Sequence, residues 1–103
     1  MEKVINGLVY DTDKAEKIAS YSNSKSRNDF RFLREELYKT KSGRYFIYGE
    51  GGPKTKYSKP VNGGRSGSHD IRAVSENDAV AWLEKHNKVD VIREEFPDHL
   101  EPA

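Results

Sequence analysis

The sequence predicts an α+β fold: a small antiparallel β-sheet built of hairpins and packed by two or three short α-helices. Three stretches carry that expectation. Asn6-Gly7 lies between short apolar arms, Ser42-Gly43 lies between arms rich in aromatic and β-branched residues, and Ala79, Trp82, Leu83 and His86 recur at helical spacing. Asn-Gly and the Gly of Ser-Gly accept the positive φ of a tight hairpin turn. Aromatic and β-branched residues fit a pleated surface, and apolar residues three and four apart make one face of a helix. A length of 103 residues predicts one domain, 1–103.

In order, residues 4–10 read as the first hairpin. Asp11, Thr12 and Asp13 offer N-cap oxygens, and Ala15, Ile18 and Ala19 share a helical face, so 13–21 predicts a short amphipathic helix. Residues 20–28 are polar and turn-rich, hence a loop. Residues 30–40 fit two patterns. Phe30, Phe32, Arg34, Glu36 and Tyr38 alternate as on a strand, whereas Phe30, Leu33 and Leu37, with Ser26 and Asp29 as a capping pair, fit a helix. Continuity into the Ser42-Gly43 hairpin favours the strand. Its return arm is 44–48. Residues 49–68 hold six of the eight glycines and predict a long irregular loop with a short strand at Tyr57. A strand at 69–74 follows, then a helix capped by Ser75 and Asp78 and ending at Asn87. Residues 90–96 predict a final turn or two of helix stopped by Pro97, with a frayed tail at 98–103.

The hydrophobic and charged fractions are both 34%, polar for a domain, but 11 aromatic residues argue against disorder. With no cysteine, disulfides and thiolate metal sites are excluded, and a cytoplasmic setting is expected. No apolar run approaches the roughly 20 residues that span a bilayer, so no membrane partner is expected; the N-terminus shows no signal-peptide core. The net charge of +1 conceals a polarised chain. Residues 39–72 carry eight basic and two acidic groups, whereas 73–103 carry three basic and eight acidic. Such a chain either steers an anionic partner to its middle or neutralises itself within the fold.

The segment Gly49-Glu50-Gly51-Gly52-Pro53-Lys54-Thr55 superficially resembles a phosphate-binding loop. Pro53 stands where that loop needs glycine, and no helix follows to present its N-terminus, so no nucleotide cofactor and no small-molecule substrate are expected. His69, His86 and His99 lack metal-pair spacing, so no metal is expected. Glu35 and Glu36 point to opposite faces of a strand and make a poor acid–base pair. No catalytic residue is assigned. The stronger signal is basic and aromatic: Lys39, Lys41, Arg44, Tyr48, Lys54, Lys56, Tyr57, Lys59, Arg65 and Arg72 are the candidate contacts to a partner or nucleic acid. Cations neutralise phosphates, and exposed rings stack bases. The alternative is that the strand aromatics face the core and the lysines keep an edge strand soluble.

Ile5-Asn6-Gly7, Tyr10-Asp11-Thr12, Ala15-Glu16-x-Ile18-Ala19, Leu37-Tyr38-x-Thr40-x-x-Gly43-x-Tyr45-Phe46-x-x-Gly49-Glu50-Gly51-Gly52-Pro53-x-x-x-Tyr57 and Ala79-x-x-Trp82-Leu83 together span most of residues 4–86. In these motifs the chain resembles small proteins carried on plasmids, phages and integrative elements of Gram-positive bacteria. It is similar in size and style to the anti-CRISPR proteins among them, which inhibit type II RNA-guided nucleases. The resemblance implies a non-enzymatic inhibitor whose partner is the effector nuclease or its guide RNA; it supplies no site residues. Such an inhibitor needs only to occupy the effector's nucleic-acid channel or to compete for guide RNA. Two modes follow: the basic loop contacts guide RNA, or Glu84, Asp90, Glu94 and Glu95 dock on a basic patch of the nuclease. The alternatives are a nucleic-acid-binding accessory protein of a mobile element and a nuclease acting on guide RNA.

Overall fold

A computed structural model describes all of residues 1–103. The strands are β1 (Glu2–Ile5), β2 (Leu8–Asp11), β3 (Glu16–Ser22), β4 (Leu33–Lys39), β5 (Tyr45–Gly51), β6 (Lys59–Val61), β7 (Gly64–Ser66) and β8 (Ser68–Val74). Helices α1 (Glu76–Lys85) and α2 (Val89–Glu95) follow, then a 3-10 turn at Pro97–His99. The four-stranded antiparallel sheet runs β3-β4-β5-β8, and β1–β2 and β6–β7 form separate hairpins. No helix is long and apolar enough to cross a membrane.

The sheet is covered on both faces, by different means. Leu37, Tyr45 and Ile47 project to one face and meet Ala79, Val80, Trp82 and Leu83 of α1, Ile92 of α2 and Phe96. Fully burying a side chain such as Leu37, Ile47 or Leu83 contributes about 1.5–3 kcal/mol, so this is the larger source of cohesion. The opposite face carries Tyr38, Phe46 and Ile71, capped by Tyr10 of the first hairpin. Tyr38 stacks on Phe46 at 5.0 Å, and Tyr10 meets the same ring edge-on at 5.5 Å. The body measures 49 × 35 × 19 Å, thin enough that most side chains reach solvent.

Local chemistry explains the elements. Asn6 and Gly7 both adopt positive φ, 52° and 77°, as the two-residue hairpin requires. Ser75 accepts a hydrogen bond from the Asp78 amide and opens α1. Asn87 at φ 54° closes it: the Asn87 amide donates to the Glu84 carbonyl and the Lys88 amide to that of Leu83, a Schellman termination.

The sequence expectation is corrected at five places. Residues 13–21 are not helical; β3 occupies Glu16–Ser22. A register shift between Lys17 and Ala19 lets both Ile18 and Ala19 face the helices, so a bulged strand reproduces the spacing of a helical face. Asp11 makes a turn instead of a cap, accepting from the Asp13 amide at 2.9 Å. β4 begins only at Leu33, because residues 26–32 turn through amide bonds from Asp29 to the Ser26 carbonyl and from Phe32 to the Asp29 carbonyl. The expected loop 49–68 is shorter: β5 continues to Gly51, and the β6–β7 hairpin turns at Asn62-Gly63, so the strand lies at Lys59–Val61 and not at Tyr57. Pro97 ends α2 but itself opens the 3-10 turn.

Candidate functional site

Sequence reasoning grouped ten candidate residues into one surface. The sheet divides them. Strand β5 separates the turn at 40–44 from the loop at 52–58 by seven residues, roughly 20 Å at about 3.3 Å each. Lys41 and Arg44 are exposed at the turn end, and Lys54, Lys59 and Arg65 at the loop end. Lys56, Tyr57 and Arg72 gather instead around Glu35, and Tyr48 lies on the other face, its hydroxyl donating to Glu50 at 2.9 Å. Lys39 is tied to the C-terminal region, 2.7 Å from Glu95, which also accepts from the Tyr45 hydroxyl at 2.8 Å.

Glu35 is the centre of the most connected polar cluster. It sits in the middle of β4 on the helix-facing side and is 2% exposed. Its Oε1 accepts from the Trp82 indole at 2.9 Å. Its Oε2 accepts from the Tyr57 hydroxyl at 2.5 Å and pairs with Lys56 at 2.8 Å, with Arg72 at 3.9 Å. Burial alone would raise the Glu35 carboxyl; hydrogen bonds from Lys56, Tyr57 and Trp82 outweigh it and hold the group below the usual carboxylate range. Burial and the same carboxylate push the Tyr57 phenol up, so it remains a donor.

The glycine loop is built to let Tyr57 arrive there. A Cβ on Gly49 would lie 1.8 Å from the Tyr57 hydroxyl oxygen, so the ring rests directly on the β5 backbone. A Cβ on Gly52 would meet the Phe30 carbonyl at 2.5 Å, and one on Gly67 the Gly51 carbonyl at 2.4 Å. These glycines are space for neighbouring backbone and ring atoms, which the phosphate-loop comparison does not require. The Ser68 hydroxyl donates to the Tyr57 carbonyl, completing the fastening. Segment 52–58 is therefore a strap bound to sheet and helix through one carboxylate.

Chemically, this carboxylate is a clamp. Three donors from strap and helix converge on its two oxygens and hold the group below the usual carboxylate range, so it ties β4 to the strap and to α1. The surface cations are different. Lys41, Arg44, Lys54 and Lys59 make no ion pair, and Arg65 donates only to Ser58, at 2.9 Å to the hydroxyl and 3.3 Å to the carbonyl. Of the acidic residues considered for docking, Glu95 is engaged by Lys39 and Tyr45, and Asp90 lies 3.4 Å from Arg93. Glu84 and Glu94 are exposed.

Sequence reasoning missed three residues. Glu35 alternates with Leu33 and Leu37 on the apolar face of β4, which is the signal of a buried carboxylate needing a partner. Trp82 enters the sequence expectation only as one residue of a helix face, although its indole N–H needs an acceptor when buried. Phe30 is 61% exposed while Phe32 is buried under Arg27, 5.3 Å from the ring centroid; the irregular turn there conceals the difference from any periodic reading. Comparison with protein-family models, curated proteins and solved structures finds no match to this chain.

Proposed function

We propose that this protein works by binding, as an anti-CRISPR-like inhibitor that engages a type II effector nuclease through its guide RNA. The reading draws its partner class from the sequence resemblance, and one observation carries it. Residues 52–67 contain Lys54, Lys56, Lys59 and Arg65 and no acidic side chain; the segment is strapped to the core by Tyr57, and its hairpin β6–β7 is exposed along nearly its whole length. A fixed cationic projection suits the phosphates of a nucleic acid. That the buried carboxylate is engaged as a structural tie by three donors favours binding over catalysis.

The test is target cleavage by a panel of type II effectors from Gram-positive bacteria, with the protein added before or after guide loading. Inhibition is expected, stronger when the protein is added first. An unaffected panel contradicts the reading. The second reading, a nucleic-acid-binding accessory protein, is favoured by the same free cations and predicts gel shifts with nucleic acid alone and no effect on cleavage. Metal-dependent RNA fragments would point to the nuclease alternative.

A further inference from the structure

We infer that the exposed ring of Phe30 and the cations around it form a stacking site for single-stranded nucleic acid. This deepens the binding reading above and rests on it. Phe30 is held in place by its backbone: its carbonyl accepts from the Lys54 amide at 2.8 Å and abuts Gly52. The ring is nevertheless 61% exposed, on a turn whose other aromatic, Phe32, is buried. The Phe30 ring is the one Phe, Tyr or Trp ring of the chain that is exposed, and it stands beside the basic loop. Offered to a base, it supplies a π-face that any nucleotide can use.

The electrostatics agree. Residues 23–35 and 50–67 together hold eight cations and three acids. Each acid is already matched: Asp29 with Arg31 at 3.5 Å, Glu35 with Lys56, and Glu50 with Arg27 at 2.8 Å and Arg34 at 3.3 Å. Lys25, Lys54, Lys59 and Arg65 remain for phosphates. A cleft of about 310 Å³ opens at this end, lined by Arg27, Phe32, Glu50, Gly52, Pro53 and His69. Arg27 and Glu50 are paired with each other there, and the His69 imidazole, which makes no hydrogen bond within the chain, is left for a base edge. A single strand satisfies these features together, because stacking on Phe30 requires an unpaired base, which a duplex does not offer.

Labelled oligouridine, oligodeoxythymidine and a duplex are titrated by fluorescence anisotropy over a range of salt. Phe30→Ala is expected to weaken both single strands roughly 5- to 100-fold while leaving the salt slope unchanged. Phe30→Tyr keeps the ring and stays within about threefold of the native protein. Lys54→Ala with Lys59→Ala should lower the slope for single strands by about 1.4. Equal weakening on RNA and DNA assigns the site to the base; a larger effect on RNA adds a 2′-hydroxyl contact. Phe30 is exposed, so its variants fold. Native protein that binds neither oligomer at low salt, or a Phe30→Ala variant that binds like the native, overturns the proposal. Inhibition lost by the lysine variant without any oligomer binding assigns the surface to an acidic protein and overturns it as well. Oligomer binding through Phe30 with no effect on any effector upholds the site and rejects the inhibitor reading.

Discussion

The two ends of strand β5 carry similar numbers of candidate cations, yet they are built differently. At the loop end the backbone is threaded over glycines, tied by Tyr57 to Glu35, and left with Lys54, Lys59 and Arg65 unneutralised. At the turn end Lys41 and Arg44 sit on an ordinary two-strand turn, Lys39 is spent on Glu95, and Glu2, Asp11 and Lys14 line the neighbouring surface. The difference teaches that sequence-local charge is a poor guide to surface charge. Of the two runs of cations, the one at the loop end is left free of acidic partners on a chain that is tied down.

The comparison breaks most sharply at Gly49. Gly49→Ala places a methyl group where the Tyr57 ring lies, so the strap lifts and Glu35 loses two donors together. A loss of about 3–5 kcal/mol is expected in denaturant unfolding, with amide exchange accelerated at 52–58 and little changed at 40–44. Glu35→Ala comes next. It leaves the Trp82 indole and Tyr57 hydroxyl without acceptors, about 1–3 kcal/mol for each buried donor, while half-exposed Lys56 turns to water. Tyr57→Phe removes a single hydrogen bond and is expected to cost about 1 kcal/mol. Charge changes at Lys41 or Arg44 should stay within about 0.5 kcal/mol.

The pH profile sharpens the same contrast. Glu35 and Glu95 are both held below the usual carboxylate range, Glu35 against its burial and Glu95 chiefly by the hydrogen bond from Lys39. A depressed carboxyl contributes stability that is fully present above its unfolded value of about 4.3 and lost as pH falls through the folded value. Unfolding midpoints should therefore fall below about pH 4, and Glu35→Gln should flatten that decline more than Glu95→Gln. His86 is held low by burial, stacked at 3.9 Å on Tyr21. Its contribution is lost at milder acidity, as pH falls below about 6.5, and His86→Phe should remove that part of the curve.

Much of the fold was legible in the sequence because turn and cap chemistry is local. Asn6-Gly7, Ser42-Gly43 and Ser75 mark their structures within a few residues. The helix read into 13–21 was not, because a β-bulge turns Ile18 and Ala19 to one face, and only pairing with β4 reveals it. The site was legible in part. The free lysines of 52–67 were visible as composition. The carboxylate that anchors their loop lies on β4, 22 residues from Tyr57 and 47 from Trp82, and no spacing rule connects them. Tyr57 was expected to offer a ring to a partner; it is buried on Gly49 instead, and the exposed ring is Phe30.

The most direct measurement compares charge reversal at the two ends of β5. Lys54→Glu with Lys59→Glu, and separately Lys41→Glu with Arg44→Glu, are assayed for nucleic-acid affinity and for inhibition of effector cleavage. The loop-end pair should lose at least about tenfold in both, and the turn-end pair less than about threefold. Equal losses, or a larger loss at the turn, would contradict a binding surface confined to the strapped loop.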